Sequence, residues 1–208
     1  MKVLNEVKAE ALLSKYLQIA KSKLVKKLDE AKNIQFPIVL KIISDDALHK
    51  TEVGGVKIVN SREELEKEFL ALQNTAKKKK IKLDGILLQE KLSGVECIIG
   101  IKKDSVFGHI ILFGVGGIFT EILEDVSIRK CPINENDADE MIRELKSSKL
   151  FSEKGFRGKK LNTSLLKRTL VKVSEIPLKH KNIQELDINP FILNEKEGKV
   201  ADARIILD

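Results

Sequence analysis

The chain has 208 residues, 42% of them hydrophobic, enough for one large domain or two small lobes with a real core. No apolar run approaches the roughly 18 residues that a membrane span needs, and Met1-Lys2-Val3-Leu4-Asn5 carries no signal-peptide core. Basic residues number 38 against 31 acidic, a net +7, but only 4% of residues are aromatic, with one tyrosine and no tryptophan, so stacking platforms for nucleic acid are scarce. Cys97 and Cys131 stand apart without metal-ligand spacing. The expectation is a cytoplasmic protein that engages neither membrane nor nucleic acid. The Lys and Glu density, with few Met and Cys, also fits a thermophile's surface.

Asn5 can cap a helix running to about Tyr16, with Val7, Ala11, Leu12 and Tyr16 inward. Residues 18–33 are less regular, with a short helix around Asp29-Glu30-Ala31. Pro37 opens Ile38-Val39-Leu40-Lys41-Ile42-Ile43, an apolar β-branched run read as a buried strand, and Val56-Lys57-Ile58-Val59 is a second strand. Ser61-Arg62-Glu63-Glu64 is a capping box. The helix after it puts Leu65, Phe69, Leu72 and Ala76 on one face, and Lys77-Lys78-Lys79-Lys80 closes it where cations suit the helix dipole. Gly85 to Glu90 reads as a strand, and Val95–Ile101 with Val106–Phe113 as a hairpin around Lys103-Asp104-Ser105. A glycine-rich turn at 113–117 precedes two helices. One is capped near Asn134 with Ala138, Met141, Ile142 and Leu145 inward; the other covers about 163–176 with Leu166, Leu170 and Val173 inward. A terminal hairpin runs from Glu185 to Leu193, turns at 195–198 and returns from Val200 to Leu207. Strands and helices mixed in this way argue an α+β fold with an antiparallel sheet.

Two places carry chemistry. In the first, His49 precedes Gly54-Gly55, and Lys41, Lys50 and Lys57 lie around it. Paired glycines allow close backbone approach and aim N–H groups at a ligand, and lysines suit phosphates. The plain alternative is a polar loop with a surface histidine. In the second, Asp187 and Asn189 share one side of a strand, and a turn at 195–198 brings Asp202 roughly opposite Asn189. Oxygen ligands from neighbouring strands suit Mg²⁺, with waters and phosphates as its other ligands. The plain alternative is an edge hairpin with solvated acids, against which both acids are enclosed by Leu186, Ile188, Ala201 and Ala203. Lys41 on an apolar strand calls for a phosphate or a structural ion pair, and Glu96 on its strand for a ribose hydroxyl or a lysine. His109 reads as a strand residue and His180 as a surface residue.

Taken together, these segments resemble the ATP-grasp superfamily, and more narrowly the β subunit of archaeal-type ADP-forming acetyl-CoA (acyl-CoA) synthetase, with the succinate–CoA ligase β subunit as a more distant relative. The resemblance runs nearly end to end. It rests on Pro37 to Lys41, Leu48 to Lys57, Leu87-Leu88-Gln89, Gly94-Val95-Glu96, Phe113 to Gly117 with Glu121 and Asp125, Phe156-Arg157-Gly158, Glu185 to Pro190, and Asp202-Ala203-Arg204. It implies two lobes with mainly antiparallel sheets clasping ATP or ADP, here residues 1–86 and 87–208. It also implies that Lys41, Gly54 and Gly55 serve the phosphates, Gln89 to Leu92 the adenine, Glu96 the ribose, and Asn189 and Asp202 the Mg²⁺. His49 falls on a histidine that this family uses as a second phosphohistidine; succinate–CoA ligases lack it. Asp187 is the candidate for orienting it. The implied partner is an α subunit carrying the CoA-binding and acyl-transfer domains, in an α2β2 assembly.

The chain departs from the family pattern at Leu17-Gln18-Ile19-Ala20 and in a shortened Ala31–Phe36 segment, neither of which touches a proposed ligand. Two other functions compete. An ATP-grasp carboxylate ligase of another kind would not need His49 and would need an acyl-acceptor site. A non-catalytic basic nucleic-acid-binding module sits poorly with the scarcity of aromatics and the acids at 187 and 202.

Overall fold

Asn5 starts the first helix as its sequence suggests: its side-chain oxygen accepts the Lys8 N–H at 3.1 Å. Before it comes β1 (Lys2–Leu4), and the helix itself is α1 (Glu6–Leu13). Its buried face holds Glu6, Ala9, Glu10 and Leu13, whereas Ala11 is exposed and Val7 and Leu12 are half-buried. The expected inner face is therefore rotated by about one residue. The cause is that two carboxylates are buried, so apolar spacing misreports the packed side. The computed structural model describes residues 1–44, 54–116, 124–152, 155 and 160–208.

From Ala20 the chain builds a separate compact unit, Ala20–Leu92. Its elements are β2 (Ser22–Val25), a 3-10 turn at Leu28–Glu30, β3 (Ile38–Ile43), β4 (Val56–Val59), α2 (Arg62–Lys78) and β5 (Gly85–Glu90). β3 and β5 have the bounds their apolar runs dictate. The four strands form an antiparallel sheet in the order β2-β5-β3-β4. Ser61 caps α2 by accepting the Glu64 N–H, while the Glu64 carboxylate turns back to the Asn60 N–H at 2.7 Å. Leu65, Phe69, Leu72 and Ala76 are all buried, packed on Val25, Ile38, Leu40, Ile42, Val59, Ile86 and Leu88. Each large side chain so buried contributes roughly 1.5–3 kcal/mol before the entropy of ordering is counted.

The second unit combines Met1–Ile19 with Ser93–Asp208. It adds β6 (Val95–Asp104), β7 (Gly108–Val115), β8 (Val126–Lys130), α3 (Glu135–Glu144), α4 (Thr163–Lys179), β9 (Ile183–Leu193), β10 (Gly198–Val200) and β11 (Ala203–Leu207). A seven-stranded antiparallel sheet runs β1-β11-β9-β6-β7-β8, with β10 paired to β9. The core lies between one face of this sheet (Cys97, Ile99, Ile101, Ile111, Phe113, Leu186, Ile188, Ile205) and α1, α3 and α4. Asn134 caps α3 in a full capping box with Asp137, and the expected inward sets of both helices are buried.

The units divide the chain differently from a cut at residue 86. β5 is bonded to β2 and β3, so the chain stays with the first sheet to Leu92. The opening residues belong with the end of the chain, because β1 pairs with β11 and Ala9 and Leu13 enter the larger core. The hairpin turn falls at 105–107, slightly beyond the expected centre, where Asp104 accepts the Val106 and Phe107 N–H groups at 2.8 Å each.

Candidate functional site

In the unit Ala20–Leu92, pairing alternates side chains between the face packed by α2 and the opposite face. Lys41 lies across from Leu87, and Val39 across from Gln89, on the side away from α2. Lys41 is 6% exposed and Gln89 is 2% exposed. A buried ammonium and a buried amide on one sheet face set it apart from the apolar face packed by α2. Leu92, half-buried, is the last residue of the unit. Gly54 has φ +68°, a left-handed conformation that a side chain would strain, and the Gly55 carbonyl accepts the Ile42 N–H at 2.9 Å, which holds Gly55 against β3. His49, with Lys50, lies outside the described residues, as do Glu121 and the Phe156-Arg157-Gly158 segment.

In the other unit, the remaining candidates share the sheet face opposite the helices. Leu186 and Ile188 enter the core, so Glu185, Asp187 and Asn189 point the other way. Gly100 on β6 and Arg204 on β11 flank Asp187 in register, and Glu96 is paired with Ile192. The terminal hairpin is not continuous. Both β10 and β11 pair with β9, and the ladder breaks between them, where the Ala201 N–H bonds the Pro190 carbonyl at 2.9 Å. One step on, the Asn189 N–H donates to the Asp202 carbonyl at 3.1 Å. Asn189 and Asp202 are thus held side by side as their spacing suggests, with Asn189 exposed and Asp202 half-buried.

The pair offers one amide oxygen and one carboxylate from neighbouring segments. It suits a hard cation that keeps most of its coordination for water and phosphate. Among the described residues no group of three or more His, Cys, Asp and Glu could hold a metal. Burial pushes the Asp187 carboxyl above the usual range; the Arg204 guanidinium opposes this and Glu185 adds to it. Arg204 itself donates to Glu185 at 2.9 Å. The residue reading gave Arg204 no role, although its spacing of two from Asp202 is the signal that puts it on the same face.

The two thiols are chemically quiet: burial drives Cys97 and Cys131 up to about 12. His109 is a strand residue, as expected, with Nε2 2.7 Å from the Ile183 carbonyl. His180 is not merely a surface group. It ends α4 half-buried, its Nε2 3.0 Å from the Tyr16 hydroxyl. No helix among the described residues is long and apolar enough to cross a membrane.

A chain with this pair of antiparallel sheets belongs to the ATP-grasp domain family, whose pattern matches residues 1–207. Within it, the chain is 38% identical over 214 residues to the β subunit of acetate–CoA ligase [ADP-forming] I of Pyrococcus furiosus, covering 98% of this chain and 91% of that one. An acetyl-coenzyme A synthetase 1 from Ca. Korarchaeum cryptofilum, solved with coenzyme A, Ca-AMPCP and HgCl+, superposes with a TM-score of 0.93 at 40% identity, covering 100% of this chain and 94% of that one. The same protein with coenzyme A and Mg-AMPPCP, its phosphohistidine segment pointing towards the nucleotide-binding site, gives a TM-score of 0.85 at 38% identity, with 100% and 93% covered. Against several curated ADP-forming acetate–CoA ligases the chain spans only 29% or 30% of their length.

Proposed function

We propose that this chain is the nucleotide-binding β subunit of an ADP-forming acid–CoA ligase of the acetate–CoA type, working in the cytoplasm in an α2β2 assembly. The partner α subunit supplies CoA binding and acyl transfer, and the whole reaction is acyl-CoA + ADP + phosphate ⇌ acid + CoA + ATP. The observation that carries the reading is the backbone-locked Asn189–Asp202 pair, on the same sheet face as Asp187 and Glu96. It is supported by the β-subunit relative covered over 91% of its length and by the synthetase solved with a magnesium nucleotide.

In the ATP-forming direction, His49 receives a phosphoryl group from a phosphohistidine of the α subunit. One N–P bond breaks as the other forms. A terminal oxygen of the ADP β-phosphate then attacks the phosphorus; the N–P bond breaks, its electron pair returns to the imidazole, and a P–O bond forms. Such transfers need alignment and charge neutralisation more than a strong base. Lys41 and the Gly54 and Gly55 amides neutralise and align phosphate oxygens. Gln89 to Leu92 hold the adenine, and Glu96 accepts from the ribose hydroxyls. Asp187 accepts from the non-reacting imidazole N–H, which keeps the other nitrogen free to carry phosphate. Mg²⁺, held by Asn189 and Asp202, supplies Lewis-acid charge on the phosphates when bound.

With the α subunit and labelled ATP, this chain should acquire an acid-labile, base-stable phosphoryl group. His49→Ala should lose both the label and turnover while keeping Mg·ADP affinity within a few-fold. A His49→Ala protein that turns over at the parental rate overturns the relay.

A further inference from the structure

An open sheet leaves edge strands whose outward N–H and C=O groups lack a neighbour, and proteins ordinarily blunt such edges with charge, proline or brevity. β8, five residues long, is an edge of the larger sheet. The Cys131 N–H bonds the His109 carbonyl at 2.8 Å, one step beyond the Ile110–Lys130 pair of the β7–β8 register. Bonded and non-bonded pairs alternate along an antiparallel ladder. Ser127 and Arg129 therefore bond β7, and the backbone groups of Val126, Ile128 and Lys130 turn outward. Some of these are already used: the Val126 N–H bonds the Glu124 carbonyl at 3.0 Å, and the Ile128 carbonyl accepts from Arg129 Nη1 at 2.9 Å, which leaves it one lone pair. The Ile128 and Lys130 N–H groups and the Val126 carbonyl have no bond among the described residues.

The side chains are not those of a guarded edge. Arg129 turns back to α3, where Glu140 and Glu144 pair with it. The middle of the strand presents Ile128, 49% exposed, next to Val126, 37% exposed, on the face opposite the helices. A protected edge would place its charge at that central position. Instead the free charges stand to either side: Glu124 four residues before Ile128 and Lys130 two after it. Both are exposed, and neither makes an ion pair among the described residues. The other isoleucine exposed on an edge strand, Ile58 of β4, has Gly54 and Asn60 at the same two offsets. That edge has no charge with which to choose a partner.

We propose that β8 pairs with β8 of a second copy of this chain, antiparallel about a two-fold axis at Ile128. In that register Ile128 faces the partner's Ile128, Val126 faces the partner's Lys130, and Ser127 faces the partner's Arg129. Symmetry gives four backbone bonds: each Ile128 N–H to the facing isoleucine carbonyl, and each Lys130 N–H to the facing Val126 carbonyl. Lys130 also lies diagonal to the partner's Glu124, within reach of a long side chain. Two ion pairs thus form that neither copy makes alone. A two-fold contact needs a surface that complements itself, and an apolar centre with an acid on one side and a base on the other does so. The two Arg129 side chains, diagonal on the helix side, are each already neutralised by Glu140 and Glu144. One strand per copy buries less than the roughly 800 Å² per partner of a standard stable interface, so the chain alone associates reversibly. In the α2β2 assembly proposed above, β8 supplies the contact between the two heterodimers. Pairing of the two copies stands apart from that reading; its role in the assembly rests on it.

Analytical ultracentrifugation of the purified chain, in a concentration series up to millimolar, reads the contact directly. The parent should show a reversible monomer–dimer equilibrium. Ile128→Lys sets two ammonium groups face to face at the axis and should leave only monomer, with an unchanged thermal midpoint. Glu124→Lys and Lys130→Glu should each weaken the dimer at least about five-fold. The double variant restores both ion pairs in reverse and should return to within about two-fold of the parent. In complex with the α subunit, Ile128→Lys should lower the mass from α2β2 to αβ while Mg·ADP affinity is kept. A parent that stays monomeric at millimolar concentration overturns the proposal, as does a dimer that survives Ile128→Lys. A double variant no better than the single ones overturns the register. If Ile128→Lys instead loses the α subunit, that subunit is the occupant of the edge and the proposal falls. Absence of any complex between the parent and the α subunit counts against the function proposed above, and the measurements on the chain alone still decide the contact.

Discussion

Replacing Lys41 with methionine should lower nucleotide affinity beyond what its cost to the fold explains. Lys41 is in β3, across from Leu87 and Val56, on the sheet face away from α2, and 6% exposed. It is not without a partner in the fold, so its loss leaves a polar group behind at a cost of about 1–3 kcal/mol. Lys41→Met also removes a charge-assisted hydrogen bond to the nucleotide phosphates, worth about 1.5–3 kcal/mol, or roughly a 10- to 150-fold loss of affinity. Urea unfolding should therefore show a loss of about 1–3 kcal/mol, and calorimetry, at a temperature where the variant stays folded, should show Mg·ADP affinity reduced by one to two orders of magnitude. A loss of stability with unchanged Mg·ADP affinity would mean that Lys41 serves only the fold and that its assignment to the phosphates is wrong.

Asp202→Ala should weaken Mg²⁺-dependent ADP binding while leaving metal-free binding little changed; equal affinity for Mg·ADP in parent and variant by calorimetry refutes the metal assignment. Gly94→Ala drives a methyl group onto the Leu193 backbone, whose carbonyl oxygen would lie 2.4 Å away, so a loss of at least about 2 kcal/mol in urea unfolding is expected. Asp125 accepts the Lys146 and Ser147 N–H groups at 2.7 and 2.9 Å, so Asp125→Ala should cost about 1–2 kcal/mol at neutral pH. Burial works to raise the Asp125 pKa, but these hydrogen bonds outweigh it and hold the carboxyl below its ordinary value of 3.8. A depressed folded-state pKa stabilises fully above the unfolded value, and that stabilisation fades as pH falls through the folded one. The stability gap between parent and Asp125→Ala should therefore be constant from pH 7 down to about 5 and close below about pH 4; a gap that persists undiminished at pH 2.5 refutes the ionised-acceptor account.

Much of the fold was legible where one physical signal dominated. Pro37 and the β-branched run after it set β3, the apolar stretch from Gly85 set β5, and the Ser61 cap with its spaced apolar residues set α2 and its buried face. The signal failed where neighbours decide. β2, Ser22-Lys23-Leu24-Val25, is an edge strand with two exposed polar residues, and it becomes a strand only by pairing with β5. β1 and β8 are likewise edges, short and rich in lysine or arginine. In α1, burial of Glu6 and Glu10 reversed the usual sense of polar and apolar faces. At the site, alternation along β9 was enough to put Asp187 and Asn189 together and to bring Asp202 to Asn189. The ladder break at Ala201-Asp202 and the placement of Arg204 beside Asp187 needed the register, which one strand's sequence does not contain.

The interrupted larger unit also dictates an order of assembly during synthesis. The unit Ala20–Leu92 is one unbroken stretch, so every partner in its sheet exists once Leu92 has left the ribosome. Its neighbour must wait. β1, made before that unit, pairs with β11, made well after it, and β11 joins the sheet by adding to β9. Until then the Ala9 and Leu13 face of α1 has no sheet to cover it. The nascent chain thus carries a finished small unit while β1 and α1 wait, and loss of Ala203–Leu207 would leave β1 without its partner strand.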